Sequence, residues 1–217
     1  MKFENKIICG DCLEVMKDWP DGCVDKTICI TDPPYGIKAD KMKMGSGQHD
    51  WAVVVGWDGT RPKKPIFDII RRISRNQIIW GGNYFADYFP PSMNWLVWDK
   101  KNPNLSFSEC EFAWVYLGRR IRIFHYYSGK GNKVHPTEKP LPLMIWCVEN
   151  YSNPNDLILD PFCGSGTTCV AAKMLGRRYI GIDISEEYCQ IARDRLRAVD
   201  TGVPVKEARA GQGALFE

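Results

Sequence analysis

The chain has 217 residues, 44% of them hydrophobic, enough to bury one good core with little left for a second domain. Its formal net charge of +3 excludes the overall basicity that would by itself argue for nucleic acid, and leaves room only for a local basic face. No apolar run is long enough to span a bilayer, and the opening MKFENKIICGDC lacks the charged-then-apolar profile of a signal peptide, so a soluble cytoplasmic protein with no membrane partner is expected.

In chain order, the pattern predicts a strand at 5–9 and a short helix around 13–17, closed by Trp19-Pro20-Asp21-Gly22. A second strand, 24–31, runs into Asp32-Pro33-Pro34-Tyr35, where two prolines cannot continue a buried ladder and the chain must turn outward. From about 36 to 65 the pattern dissolves into a long polar insertion, a kind of segment that is usually functional or disordered. A helix over 66–75 follows, with Ile66, Ile69, Ile70 and Ile73 on one face. Next come a strand at 77–80 closed by Gly81-Gly82, a short helical piece near 84–88, and a strand at 95–98. Segments 112–117 and 120–126 read as an antiparallel pair turning at Gly118. A helix at 141–150, a strand at 157–159, a helix at 167–175, a strand at 179–182 and a helix at 186–198 complete the series. Strands alternating with helices predict an α/β fold layered around a mostly parallel sheet. The expected organisation is one domain over 1–199, with insertions at about 36–65 and 99–133, and a flexible tail over 200–217 that is polar and rich in Gly and Ala.

An apolar strand ending in Asp160, then Gly164-Ser165-Gly166, then a helix, is an arrangement that binds an anionic or nucleoside-bearing cofactor. Glycines permit a tight turn and close backbone approach, and a helix N-terminus offers unpaired N–H groups. Asp183 ends the following strand, where a carboxylate can accept from ribose hydroxyls. The longer G-x-G-x-x-G fingerprint is absent, since position 169 is Cys. Asp160 at the loop entrance would repel a pyrophosphate and suit the ammonium of a methionine moiety, which favours S-adenosylmethionine over NAD.

Asp32-Pro33-Pro34-Tyr35 has the chemistry that an exocyclic base amine requires. That nitrogen is a poor nucleophile because its lone pair is delocalised into the ring. Acceptors for both amino hydrogens let it rehybridise and aim the lone pair at a sulfonium methyl. Asp32 offers a carboxylate and Pro33 a carbonyl, the prolines fix the backbone as a preorganised electrostatic site, and Tyr35 offers a π-face to a base taken out of its stack. Seen alone, the tetrapeptide is an ordinary strand-ending turn; the cofactor loop in the same chain is what gives it weight. The nine cysteines, with no export signal, are expected as reduced thiols. Cys9-x-x-Cys12 lacks a second ligand pair and His49, His125 and His135 lack ligand spacing, so no metal is expected.

Taken in this order, the motifs resemble the β group of DNA amino-methyltransferases, in which the catalytic tetrapeptide precedes the cofactor loop, and the matching segments reach to about Ala198. Gly10-Asp11-Cys12 resembles the family segment at the cofactor adenine, which implies Asp11, beside Cys12, as partner of its amino group. His135-Pro136-Thr137-Glu138-Lys139-Pro140 resembles the family's HPTxKP segment, which implies that Thr137 and Lys139 hold the methionine end. Asp160-Pro161-Phe162-Cys163-Gly164-Ser165-Gly166 resembles the family's cofactor loop, and Asp183 its ribose carboxylate. The resemblance implies a class I, Rossmann-like methyltransferase fold: seven strands with one antiparallel member, helices on both faces, entered at a circularly permuted point. An Asp-initiated tetrapeptide implies adenine N6, and Ser there would lean to cytosine N4, which is the alternative of the same architecture. RNA and protein glutamine are further alternatives; their tetrapeptides start with Asn.

The chain has no room for the sizeable target-recognition domain of many such enzymes, so double-stranded DNA is expected to be read by the two insertions. Lys38, Lys41, Lys43, Arg61, Lys63, Lys64, Arg119, Arg120 and Arg122 are the candidate phosphate contacts, against the bland reading of solvated side chains. So small a reader also points to a second subunit, a homodimer, for contact area. Gly81-Gly82-Asn83-Tyr84-Phe85 reads either as a wall of the base pocket or as a strand-to-helix turn with core aromatics. In the tail, Gln212, Leu215 and Phe216 resemble the Q-x-x-L-F peptide by which bacterial replication proteins dock into the sliding clamp.

Overall fold

Short apolar runs between turn residues organise a single sheet in the computed structural model, which describes residues 3–21, 26–38, 58–102, 108–118, 120–127 and 138–202. In chain order its strands are β1 (Lys6–Cys9), β2 (Thr27–Thr31), β3 (Asn76–Trp80), β4 (Trp95–Asp99), β5 (Cys110–Val115), β6 (Arg122–His125), β7 (Leu157–Asp160) and β8 (Arg178–Asp183). The helices are α1 (Cys12–Met16), α2 (Lys64–Ile73), α3 (Leu141–Tyr151), α4 (Thr167–Met174) and α5 (Glu186–Thr201), with a 3₁₀ turn at Gly82–Phe85. The order across the sheet is β1-β8-β7-β2-β3-β5-β4-β6.

Alternation along the strands sends side chains to two cores. Ile28, Ile30, Ile78, Trp80 and Ile158 join Leu143, Cys147, Val170, Ala192 and Leu196 of α3, α4 and α5. Cys29, Ile79, Leu157, Leu159, Ile180 and Ile182 join Met16 of α1, Ile66, Phe67, Ile70 and Ile73 of α2, and Phe85. Burial on both faces is why β2 and β7 carry apolar residues at consecutive positions.

The fold is the α/β arrangement expected, with helices on both faces, but it differs in two respects. The sheet has eight described strands where seven were expected, the eighth being β6 at the edge. The expected hairpin of 112–117 with 120–126 does not form. Instead β5 pairs antiparallel with β3 and with β4, and β6 pairs parallel with the far side of β4. The cause is a buried amide remote in sequence. Asn76 accepts from the Leu117 N–H through Oδ1 at 2.8 Å and donates through Nδ2 to the Leu117 carbonyl at 3.2 Å. That grip carries the end of β5 along β3, and with both edges of β5 occupied β6 has only the open edge of β4. Among the described strands, β5 alone runs against the others.

The parallel strands end at one edge of the sheet. Asp11 follows β1, Asp32 follows β2, Gly81 follows β3, and Asp160 and Asp183 close β7 and β8. Ligands of open α/β sheets bind outside such carboxyl ends. Because β5 is reversed, its first residues, Cys110 and Glu111, come to this same edge opposite Asp99 and Trp98.

Replacing Asn76 by Ala strands the Leu117 backbone groups and should lower unfolding free energy by roughly 1–3 kcal/mol. The fully solvated Met93→Ser should change it by less than about 0.5 kcal/mol. Urea denaturation of the two variants measures both.

Candidate active site

The turn after β7 runs from Asp160 to Gly166, which is the N-cap position of α4. Gly164 has φ +48° and no heavy atom within 4 Å of where a Cβ would stand, so the turn faces open space. The Asp183 carboxylate braces it: Oδ2 accepts from the Gly164 N–H at 2.8 Å and Oδ1 from the Ser185 N–H at 2.9 Å. Burial raises the Asp183 pKa while these backbone donors pull it down. The Asp183 carbonyl accepts from the Gly10 N–H at 2.9 Å, which sets Asp11 beside the same turn. Asp11 caps α1, its Oδ1 accepting from the Leu13 and Glu14 N–H groups at 2.8 and 3.3 Å. Cys12 and Phe162 pack partly buried against the core beneath, and burial pushes the Cys12 thiol up to about 12.

Asp160 is more deeply held than an entrance residue. It is 3% exposed, and its Oδ1 accepts from the Thr31 hydroxyl at 2.7 Å and from the Phe162 N–H at 3.2 Å. Burial raises its pKa to about 6, against the lowering effect of Thr31, Thr168 and the Phe162 N–H. Thr31 is the residue before Asp32, so one side-chain hydrogen bond joins the Asp160–Gly166 turn to the Asp32–Tyr35 tetrapeptide.

Asp32 is the acceptor of a dense cluster. Tyr35 donates its hydroxyl to Oδ1 at 2.5 Å, and the Lys139 ammonium donates to Oδ2 at 2.5 Å. The Tyr35 ring stacks on Tyr84, centroids 4.7 Å apart at 16°, and meets Phe85 edge-on. Its other neighbour is Gly81, at φ +67°, where an added Cβ would lie 2.0 Å from the Tyr35 ring. Only glycine lets the end of β3 approach that closely. The Gly81–Phe85 segment is therefore both a 3₁₀ turn carrying a core aromatic, Phe85, and the support of the tetrapeptide's tyrosine.

Lys139, which the family segment implies at the methionine end of the cofactor, has its ammonium between Asp32 and Glu111, 3.0 Å from Glu111 Oε2, with the side chain 7% exposed. Burial works against the charge of Lys139, and the two carboxylates more than restore it, leaving the pKa raised. Burial also opposes ionisation of Glu111, but the ammonium groups of Lys139 and Lys100 hold its pKa down to about 2. Asp32 is raised by burial and by the Glu111 charge, with Lys139 and Tyr35 acting in the opposite sense. Glu111 was not singled out from the sequence.

The expected phosphate contacts divide. Arg61 makes a two-pronged pair with Asp87 at 2.8 and 2.6 Å, donates to the Tyr84 carbonyl and covers the Tyr88 ring, so it braces the turn that holds Tyr84. Lys64 pairs with Asp68 one helical turn away, and Arg122 stacks over Trp146 and donates to Asn150. Lys38, Lys63 and Arg120 are exposed. Lys41, Lys43, Arg119, Thr137, Gln212, Leu215 and Phe216 lie outside the described residues. Among the described residues no helix is long and apolar enough to cross a membrane, and no group of three or more His, Cys, Asp or Glu stands together as a metal site.

A family model described as DNA methylase, covering N6 and N4 methyltransferases, matches residues 97–194. The putative methylase YubD of Escherichia coli K12 is 30% identical over 215 residues, spanning 90% of this chain and 91% of that protein. The chain belongs to the DNA methylase family. Among solved structures, the methylase is similar to the M1.HpyAVI–SAM complex, with 27% identity, TM-score 0.61, and coverage of 88% of this chain and 98% of that one. It shares its fold with the cytosine-N4-specific PvuII DNA methyltransferase, at 15% identity and TM-score 0.65, over 94% of this chain and 89% of that one.

The raised Asp160 pKa has a stability consequence in this methylase. Its folded value, about 6, lies above the ordinary carboxylate value, so the fold favours the neutral form. That contribution is complete below about pH 4 and lost as pH rises through 6. Asp160→Asn should therefore stabilise the cofactor-free protein at pH 7 by roughly 2–3 kcal/mol. The gain should vanish near pH 4, as read by thermal melting across pH.

Proposed function

We propose that this methylase transfers the methyl group of S-adenosylmethionine to N6 of adenine in double-stranded DNA, on a base flipped into the site beside Asp32. The observation that carries the reading is the Thr31–Asp160 hydrogen bond, which sets the tetrapeptide and the glycine turn side by side at the ends of adjacent strands. The residues fit the cofactor. Gly164 leaves room over the turn, and each Asp183 oxygen, already accepting one backbone N–H, keeps a lone pair for a ribose hydroxyl. When bound, S-adenosylmethionine supplies a sulfonium methyl with a neutral thioether as leaving group. Asp11 borders the same turn and is assigned the adenine end of the cofactor.

The chain's own part is to make an amine nucleophilic. Asp32 takes one amino hydrogen and the Pro33 carbonyl the other, which localises the lone pair on nitrogen. The Tyr35 and Tyr84 rings, already stacked, form the aromatic side of the base site. After transfer the nitrogen sheds one proton, for which the Asp32 carboxylate is the nearest acceptor. The Asp at the head of the tetrapeptide favours adenine; the fold shared with a cytosine-N4 enzyme keeps that base as the second reading. The DNA backbone is assigned to the exposed Lys38, Lys63 and Arg120 with Lys41, Lys43 and Arg119. The parallel pairing of β1 with β8 supports a permuted entry into the sheet.

Incubation with labelled cofactor and separate DNA, RNA and protein pools should label DNA, and nucleoside mass spectrometry should show N6-methyldeoxyadenosine. N4-methyldeoxycytidine would transfer the assignment to the second reading, and label confined to RNA or protein would end both. Asp32→Ala should slow transfer by about 10²–10³-fold. An undiminished rate would remove Asp32 from the mechanism. For the tail, wild type should be retained on immobilised bacterial sliding clamp and the Leu215→Ala/Phe216→Ala variant lost; equal recovery sinks the docking assignment.

A further inference from the structure

Both oxygens of Asp32 are already engaged, Oδ1 by the Tyr35 hydroxyl and Oδ2 by Lys139. Each oxygen keeps one further lone pair, but both are crowded by a donor at 2.5 Å, so a substrate amino group competes with these donors for the charge of Asp32. Displacing a buried ammonium from its only carboxylate would cost far more than one hydrogen bond returns. Lys139 is not in that position, because Glu111 Oε2 stands 3.0 Å from the same nitrogen on its other side. Glu111 is itself anchored from behind: Lys100 pairs with its second oxygen, Oε1, at 2.9 Å, with the Lys100 side chain 12% exposed. Two carboxylates and two ammonium groups thus form a neutral row, Asp32–Lys139–Glu111–Lys100, reaching from the end of β2 to the residue that follows β4.

We infer that Glu111 is a positioning residue for methyl transfer, holding the Lys139 ammonium between two carboxylates so that a base amino group can take an Asp32 oxygen while the lysine stays paired. This rests on the methyl-transfer reading above and names the group that makes Asp32 available to its substrate. Nζ donates to Asp32 and to the Tyr35 oxygen at 3.3 Å, while Glu111 Oε2, buried without a hydrogen-bond donor, is ion-paired to it at 3.0 Å, so a small tilt toward Glu111 gives that oxygen its donor and eases Asp32 with no loss of charge pairing. The reversal of β5 makes this possible, since only a strand running against its neighbours brings its first residues to this edge. The titratable groups around Asp32 are Tyr35 and Lys139 in contact, Glu111 and Lys100 behind them on β5 and after β4, Asp160 on β7, and Tyr84 stacked on Tyr35.

Two variants pull the row in opposite directions. Glu111→Gln removes the competing charge and leaves Lys139 wholly on Asp32. Single-turnover transfer at saturating DNA and cofactor should then fall at least about tenfold, with cofactor affinity within about twofold of wild type. The acid limb of its pH–rate profile should move to lower pH, because a like charge near Asp32 has gone. Lys100→Met leaves Glu111 with Lys139 alone and draws that ammonium off Asp32, so its acid limb should move to higher pH. A purely structural role would lower rate or melting temperature without splitting the limbs. Limbs that stay in place, or move the same way in both variants, overturn the inference. If Glu111→Gln does not fold, an unmoved or down-shifted limb in Lys100→Met is sufficient to overturn it. An active wild type with unmoved limbs defeats only this inference, whereas a wild type that methylates no DNA defeats the methyl-transfer reading and this with it.

Discussion

The buried hydrogen bond from the Thr31 hydroxyl to Asp160 fixes the spacing on which the site depends. It joins the ends of two parallel strands, β2 and β7, at the point where each gives way to its functional turn. On one side the chain continues into Asp32-Pro33-Pro34-Tyr35, on the other into the glycine turn that Asp183 braces. In-line transfer between two bound molecules requires donor and acceptor to be held within a few tenths of an ångström, and backbone ladders set that better than loops do. The cost is a carboxyl group kept in a dry place, visible in the raised pKa of Asp160.

Around that joint the architecture is layered by charge type. Next to Asp160 lie neutral donors, a hydroxyl and a backbone N–H; next to Asp32 lie a phenol and an ammonium. The aromatic support is built separately, from Tyr84 and Phe85 in the turn after β3, with Gly81 giving Tyr35 room and Arg61 clamping the turn through Asp87 and the Tyr84 carbonyl. Acceptor geometry and ring placement are thus fixed by different elements.

Much of this was legible because the signals are local. An apolar run followed by Asp-Pro-Pro-Tyr, Gly-Gly or Asp-x-x-x-Gly marks a strand end and its chemistry within a few residues, and β2, β3 and β7 stand at or close to those expected places. What escaped depends on contacts remote in sequence. The pairing of β5 and β6 is decided by the Asn76 amide gripping Leu117, which no periodicity reports. Glu111 is a single acid at the start of a strand, and it matters only because that strand is reversed. Lys139 was visible in its motif, but its pairing with Asp32 and Glu111, residues far from it in sequence, was not. Arg61 sits in a basic insertion, and its partner Asp87, in the turn beyond β3, is equally remote in sequence.

The pairing of β1 with β8 has a consequence for how the protein is made. Lys6 lies opposite Ile180 and Cys9 opposite Asp183, so β1 finds its partner strand only once β8, far along the chain, has been made. Such distant pairing slows folding and leaves strand edges open for longer. The hydrogen bond from the Gly10 N–H to the Asp183 carbonyl, which sets Asp11 beside the glycine turn, depends on the same distant pairing.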